Sequence, residues 1–315
     1  MKRLILIDGN NWGFSGMANP RLSSGDKDTQ AVYSVLKRVR SVYEDHPESM
    51  IVVLWDGRSW RKDVYTEYKA NRTQSEKQLK DRSAYTEQKK DIVLGLRLLG
   101  VSQISANNME ADDLAGIMTI NSITKNVPVT LMTADHDWMQ LVQPGVQWID
   151  LIHGKTCRHT SFKRDTGFDT PAQFVEAKCI LGDRGDNVFG INGIGPKALE
   201  GVYERWDSFD DFLHNMETFR QDAIEYWRKK GGKVMPKALR EVDTESARIK
   251  LKDNYRLMDL RTKERPQPEG LKNIRKPLDR EAFLNFCHSN AFLSITRKFD
   301  NFIEPFENNI NTLKE

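Results

Sequence analysis

Val129-Thr130-Leu131-Met132-Thr133-Ala134-Asp135-His136-Asp137 is the stretch that decides the fold, because a short run suited to a buried strand passes straight into two carboxylates. The pattern recurs. Residues 4–7 (LILI) close on Asp8-Gly9, and Met50–Trp55 closes on Asp56-Gly57. A strand expected at 101–105 precedes Glu110, Asp112 and Asp113, which open a helix, and a further strand is expected at 146–149. Between these runs the apolar spacing turns helical, at Val32, Val35, Leu36, Val39 and Val42, and at Ile92, Val93, Leu96 and Leu99 before Gly100. Strands separated by helices predict an α/β fold, a mostly parallel sheet flanked by helices. The second half reads as mainly helical, over Pro171–Leu181, 196–205, 209–213, 218–229, 244–259 and 280–285, with a polar tail after Pro305.

A single acid after a strand is ordinarily a helix N-cap or a turn former. That account weakens when strand after strand delivers acids to one edge, because open α/β sheets bind ligands beyond the carboxyl ends of their strands. Asp183 and Asp186 add a further set in Gly182-Asp183-Arg184-Gly185-Asp186-Asn187. Crowded carboxylates repel one another and call for cations. Hard oxygen donors suit Mg²⁺ or Mn²⁺, and no histidine has a partner at zinc spacing. Two such ions about 4 Å apart activate water and stabilise the leaving oxygen of a phosphodiester. Other motif readings fall short. No GxxxxGK[ST] loop is present, and Asp8-Gly9-Asn10 lacks the second acid of a DxD nucleophile. Gly193-Ile194-Gly195-Pro196-Lys197-Ala198 matches a dinucleotide fingerprint only in spacing, since a polar loop stands where a strand must.

The chain has 315 residues, 38% hydrophobic and 30% charged, enough for about two domains. No apolar stretch approaches a membrane span, and the first one is too short for a signal peptide. Cys157, Cys179 and Cys287 form neither a disulfide framework nor a metal pair, so the expected compartment is a reducing cytoplasm, the host cell's if phage-encoded. The net charge of +3 hides an uneven distribution. Residues 58–90 hold ten Lys/Arg against five Asp/Glu, the footprint of a polyanion-binding segment.

Seven segments in order resemble the 5′-nuclease (flap endonuclease) family, most of all its stand-alone bacteriophage 5′-3′ exonucleases. They are Leu6-Ile7-Asp8-Gly9, Trp55-Asp56-Gly57, Tyr68-Lys69-Ala70-Asn71-Arg72, Glu110-Ala111-Asp112-Asp113, Thr133-Ala134-Asp135-His136-Asp137, Gly182-Asp183-Arg184-Gly185-Asp186-Asn187 and Gly190-Ile191-Asn192-Gly193-Ile194-Gly195-Pro196-Lys197-Ala198. The resemblance weakens beyond Tyr203. It implies a PIN-like platform at 1–170 with a helical arch at 58–90, a helical duplex-binding region at 171–304 with a helix–three-turn–helix around 178–205, and a flexible tail at 305–315. It gives Asp8, Asp56, Glu110, Asp112 and Asp113 to a first metal site and Asp135, Asp137, Asp183 and Asp186 to a second, some acting through water. Two or three Mg²⁺ or Mn²⁺ are implied, with K⁺ at the glycine turn. Lys69 and Arg72 fall where the family has catalytic cations, which would stabilise charge developing on the scissile phosphate.

Tyr68 is expected either to stack on an unpaired base or simply to pack. In the arch, Arg61, Lys62, Lys77, Lys80, Arg82, Lys89 and Lys90 alternate with Trp60, Tyr65 and Tyr85, a mixture suited to a single-stranded 5′ end. Gly193 and Gly195 would let the backbone approach a phosphate, and Lys197 would contact the duplex. A second basic stretch, 228–233 with Lys237 and Arg240, would extend that footprint or be a solvated loop. The expected substrates are DNA with 5′ flaps, nicks or 5′ ends, and RNA-primed DNA, cut to leave 5′-phosphate and 3′-hydroxyl. A monomer is expected, with no membrane and with replication proteins as partners. The alternatives are a catalytically inactive branched-DNA-binding protein on the same fold, which would have lost acids, and a PIN-type ribonuclease, which would lack the arch and glycine turn.

Overall fold

The expected strands form as β1 (Leu4–Asp8), β2 (Met50–Trp55), β3 (Ser102–Ser105), β4 (Val129–Met132) and β5 (Val146–Asp150), paired in parallel in the order β3-β2-β1-β4-β5. Two antiparallel edges complete a sheet that has seven strands among the described residues. They are β6 (Lys155–Arg158), beside β5, and the strand Lys272–Ile274, beside β3. Neither is marked by an apolar run, since both are short and polar and draw their stability from a partner. The computed structural model describes residues 3–73, 75–229 and 234–312, except the side chains of 73, 77, 78 and 310–312.

From β1 the chain moves outward through β2 to β3, then returns to the other flank of β1 with β4 and β5. The carboxyl ends of β1 and β4 therefore flank the point where strand order reverses, the usual ligand position in such sheets. Helices α1 (Gly9–Met17), α2 (Gln30–Asp45), α3 (Glu76–Leu98) and α4 (Ala111–Ile123) accompany these strands. Val32, Val35, Leu36, Val39 and Val42 of α2 are all buried against Ile5, Ile7, Ile51 and Val53, as the helical spacing requires.

The chain divides into two compact units. One holds residues 1–60, 73–160 and 266–315; the other holds 61–72 and 161–265. This differs from a boundary after 170, because 266–315 joins the sheet-bearing unit. The loose tail expected at 305–315 is a helix, Phe299–Thr312, with Phe302, Ile303 and Phe306 buried and Pro305 in its interior. Asn309 Nδ2 donates to the carbonyls of Pro47 and Ser49, at 2.8 and 3.0 Å. Burying that aromatic face outweighs the backbone bond lost at proline; residues 313–315 of the expected tail lie outside the described residues. The arch segment is divided too. Residues 61–72 group with the second unit, while α3 runs unbroken from Glu76 to the platform core at Leu96.

The second unit is helical, built on α5 (Pro171–Leu181), α6 (Pro196–Tyr203) and the helices Phe209–Thr218, Arg220–Lys229 and Thr244–Met258, around Phe209, Phe212, Leu213 and Val202. Lys230–Lys233 of the second basic stretch lie outside the described residues. No helix among the described residues is long and apolar enough to cross a membrane.

Candidate active site

In the platform unit, strand ends and helix starts share one set of carboxylates. Asp8 ends β1 and caps α1, its Oδ1 accepting from Asn11 N at 2.9 Å and its Oδ2 from Thr133 Oγ1 at 3.1 Å. Thr133 Oγ1 in turn accepts from Asp135 N at 3.0 Å, so one hydroxyl links the ends of β1 and β4. Asp135 Oδ1 accepts from Asp137 N at 2.8 Å, starting the short helix His136–Leu141. Asp56, one residue past β2, accepts from Ala111 N at 2.8 Å and ties that strand to the start of α4. On α4, Ser59 Oγ donates to Glu110 Oε2 and Trp138 Nε1 donates to Asp112 Oδ1, at 2.8 and 2.7 Å.

Burial, then the charge of Asp56 and further that of Asp135, push the Asp8 carboxyl up to about 7, against its bonds from Asn11 and Thr133. Two neighbours feel the same acids. Tyr85, whose hydroxyl donates to Asn10 Oδ1 at 3.0 Å, is raised by burial and then by Asp8 and Asp56. Lys89 places its ammonium 4.9 Å from the centre of the Trp55 ring; burial lowers its pKa while Asp56 and Asp8 oppose that. Gly9 is obligatory here, since a Cβ would stand 2.7 Å from the Trp55 ring.

The second unit assembles a different group. Arg72 bonds Asp186 Oδ1 at 2.5 Å, Tyr68 donates its hydroxyl to Oδ2 at 2.8 Å, and Lys69 Nζ lies 3.7 Å from Oδ2. Lys69 adopts a left-handed backbone, φ 58°, and its N–H donates to the Asp186 carbonyl at 2.9 Å. Its ammonium sits 4.8 Å above the Tyr68 ring. Asp183 accepts from Gly185 N and Asp186 N through Oδ1 and from Lys178 Nζ at 3.2 Å through Oδ2. Burial would raise its pKa, but the charge and hydrogen bond of Lys178, with the two amides, carry it below the ordinary value.

The glycine segment follows a small hairpin, β7 (Gly182–Asp183) with β8 (Val188–Phe189), after α5. Gly193 has φ +79°, and a Cβ there would come within 2.9 Å of Ala238 Cβ, so the turn requires glycine. Gly195 is the N-cap of α6, Pro196 takes its first turn, and a Cβ on Gly195 would meet nothing within 4 Å. Lys197 is exposed beside it.

Several expectations change. Tyr68 is 3% exposed, so its ring is not available for base stacking; it packs with Val188 and Leu257 and holds Asp186. Arg61, expected to track phosphates, is buried with Nε donating to the Leu257 carbonyl. Trp60 and Tyr85 are buried as well, Tyr85 stacking on Phe14 at 3.9 Å. Lys62, Lys80, Arg82 and Lys90 are exposed, and the Lys77 side chain lies outside the described residues. Asp113 is fully buried, and its Oδ2 accepts from Glu110 N at 3.2 Å, a bond that leaves its expected place beside the first ion standing. Lys89, expected among the arch cations, lies instead over Trp55 beside the acids, and Thr133, Asn11 and Ser59 had no assigned contact in the sequence. Only their place two or three residues from an acid could have flagged these three.

The model for the 5′-3′ exonuclease N-terminal resolvase-like domain matches residues 3–169, just over half of the chain. A 5′-3′ exonuclease of Aquifex aeolicus is 27% identical over 226 residues, covering 70% of this chain and 76% of that protein. DNA polymerase I of Pseudomonas aeruginosa is 28% identical over 203 residues, covering 63% of this chain; the chain spans only 22% of the polymerase's length. Among solved structures, the D15 flap endonuclease of bacteriophage T5, in a complex with DNA and metal ions, aligns with a TM-score of 0.63 at 18% identity, over 97% of this chain and 99% of that one. At that identity the likeness shows a common fold.

Proposed function

The chain belongs to the family defined by the 5′-3′ exonuclease N-terminal resolvase-like domain, and from that premise we propose that it is a divalent-metal-dependent nuclease acting on phosphodiesters near single-strand/duplex junctions. The observation that carries this reading is the meeting of acids at the strand ends, where Thr133 Oγ1 bonds both Asp8 and the amide of Asp135 and Asp56 ties β2 to α4, a crowding that pushes Asp8 up to about 7. A carboxylate in that state takes up a proton or gains from a cation, and the oxygen donors around it suit Mg²⁺ or Mn²⁺. Among the described residues no three His, Cys, Asp or Glu side chains form a ready-made ligand shell. Mg²⁺ keeps several waters and needs only one or two carboxylates, so the donors fit it.

Asp8, Asp56, Glu110, Asp112 and Asp113 would hold a first ion, some through water, and Asp135 and Asp137 would serve a second; when bound the ions supply positive charge to the phosphate and acidify water. The resemblance also gives Asp183 and Asp186 to a second ion. An ion taking them would have to displace Lys178 or share Asp186 with Lys69 and Arg72. Asp186 and the Tyr68 hydroxyl hold Lys69 and Arg72 in place, and we assign these two cations to the scissile phosphate, where they would stabilise charge developing in the transition state. Water adds across the P–O3′ bond, leaving 5′-phosphate and 3′-hydroxyl. The turn at 190–197, with Lys197, would take the duplex backbone by charge and shape rather than sequence. DNA with 5′ flaps, nicks or 5′ ends and RNA-primed DNA are the assigned substrates, and replication proteins the assigned partners.

The test offers 5′-flap, nicked, blunt and RNA-primed substrates with EDTA, Mg²⁺ or Mn²⁺ and maps the cut. Cleavage next to the junction in Mg²⁺ or Mn²⁺, and none in EDTA, is expected. A protein that binds the flap yet cuts nothing with either metal overturns the reading in favour of an inactive branched-DNA binder.

A further inference from the structure

Between α3 and the edge strand Lys272–Ile274 of the platform unit lies an open groove of about 460 Å³. Four of the residues that line it are cations, Lys90 and Arg97 on the helix and Arg275 and Lys276 just past the strand; none is an acid. Val93 and Ile274, both half-buried, supply apolar surface between them. Lys90 also meets Glu87 at 3.0 Å, but both side chains are about 70% exposed, and such a pair contributes little.

The groove has a direction. Lys89, one residue before Lys90, rests on Trp55, the neighbour of Asp56, so the helix carries cations from the acid edge into the groove. The edge strand runs antiparallel to β3, with Lys272 opposite Ser105 and Ile274 opposite Gln103. Arg275 and Lys276 therefore extend away from the carboxyl end of β3, and the cations line a path that descends from the acids along the flank of the sheet.

We propose that this groove binds one strand of nucleic acid, the single-stranded arm running to or from the acid edge. Rows of cations on both walls suit a phosphate backbone, and apolar surface between them suits sugars and bases. The proposal rests on the nuclease reading above, but its test does not need cleavage. Binding is measured by fluorescence anisotropy in Ca²⁺ for a blunt duplex and for the same duplex with a 5′ arm of about 16 nucleotides. The arm should tighten binding of the natural protein about tenfold or more. Lys90→Gln/Arg275→Gln/Lys276→Gln should lose that increment, and its log–log salt dependence on the armed duplex should flatten by about two. A charge-retaining Lys90→Arg/Arg275→Lys/Lys276→Arg variant should keep the increment, with melting curves checking that both variants fold.

Three outcomes overturn the proposal. They are no arm increment in the natural protein, an equal increment in the glutamine variant, or equal losses on blunt and armed duplex, as a solvated edge or a surface for an acidic protein would give. Failure of the nuclease reading appears separately, as absence of cleavage by the natural protein in Mg²⁺.

Discussion

Asp8 in the platform unit and Asp183 in the helical unit are both acids at the end of a secondary-structure element, and both lose solvent on folding. Asp8 faces Asp56 and Asp135 and is pushed up to about 7. Asp183 meets Lys178 and two amides, which overcome its burial and hold it below the ordinary value. The same contrast extends to their neighbours, since Asp186 is bonded by Arg72 and Tyr68 and lies beside Lys69. A like-charge cluster is relieved by a cation from solution. A charge-paired acid instead fixes the position of the cation it holds. On this view one set of carboxylates binds metal, while the other presents Lys69 and Arg72.

Removing Asp8 should break this contrast most visibly. Asp8→Asn should cut single-turnover cleavage in Mg²⁺ by about a thousandfold or more, and should abolish the rise in melting temperature that Mg²⁺ gives the natural protein. Asp183→Asn should keep most of that rise. Full cleavage by Asp8→Asn, or equal loss of the Mg²⁺ shift in both variants, would erase the division of labour.

Lys69→Ala should come next, slowing the chemical step by about a hundredfold while leaving flap binding in Ca²⁺ nearly unchanged. Asp186→Asn should reproduce most of that loss, because Lys69 and Arg72 would no longer be held. If excess Mg²⁺ restores the rate of Asp186→Asn, Asp186 serves an ion instead, and the contrast between the two units narrows. Lys197→Ala should show a smaller effect, weakening duplex binding severalfold and lowering the salt slope by about one. An unchanged slope removes Lys197 from the footprint.

The strands β1, β2 and β4 were legible because each is a mostly apolar run with an acid within three residues of its end, and α2 because five valines and leucines recur at helical spacing. Asp8, Asp56 and Asp135 were legible through the rule that such sheets bind ligands at their carboxyl edge. The packing of Tyr68, Arg61 and Asp113 was not. Each is chemically suited to a ligand, and only tertiary packing decides that Arg61 meets the Leu257 carbonyl and Asp113 the amide of Glu110. The helix Phe299–Thr312 was hidden because Pro305 and the three asparagines after it look like a terminus, while the face that forms it, Phe302, Ile303 and Phe306, packs with aromatics from α2 and from 280–289.

A last effect is on stability, and it opposes the two acids by sign. In EDTA, folded Asp8 titrates near 7 while the unfolded chain releases that proton near the ordinary 3.8. Between those values the folded state binds more protons, so Asp8 makes stability fall as pH rises from about 4 to 7, by at most about 4 kcal/mol. Asp183 is depressed, so its contribution is fully present above its unfolded value and disappears as pH falls through the folded one. Melting curves in EDTA should therefore show Asp8→Asn flattening the decline between pH 4 and 7, and Asp183→Asn flattening the acid loss below it. Mg²⁺ should flatten the first without Asp8→Asn and leave the second untouched, because a divalent ion replaces the proton only where carboxylates crowd. If Mg²⁺ flattens both, the helical unit's acids also take metal, and their pairing with Lys178, Lys69 and Arg72 gives way when the ion binds.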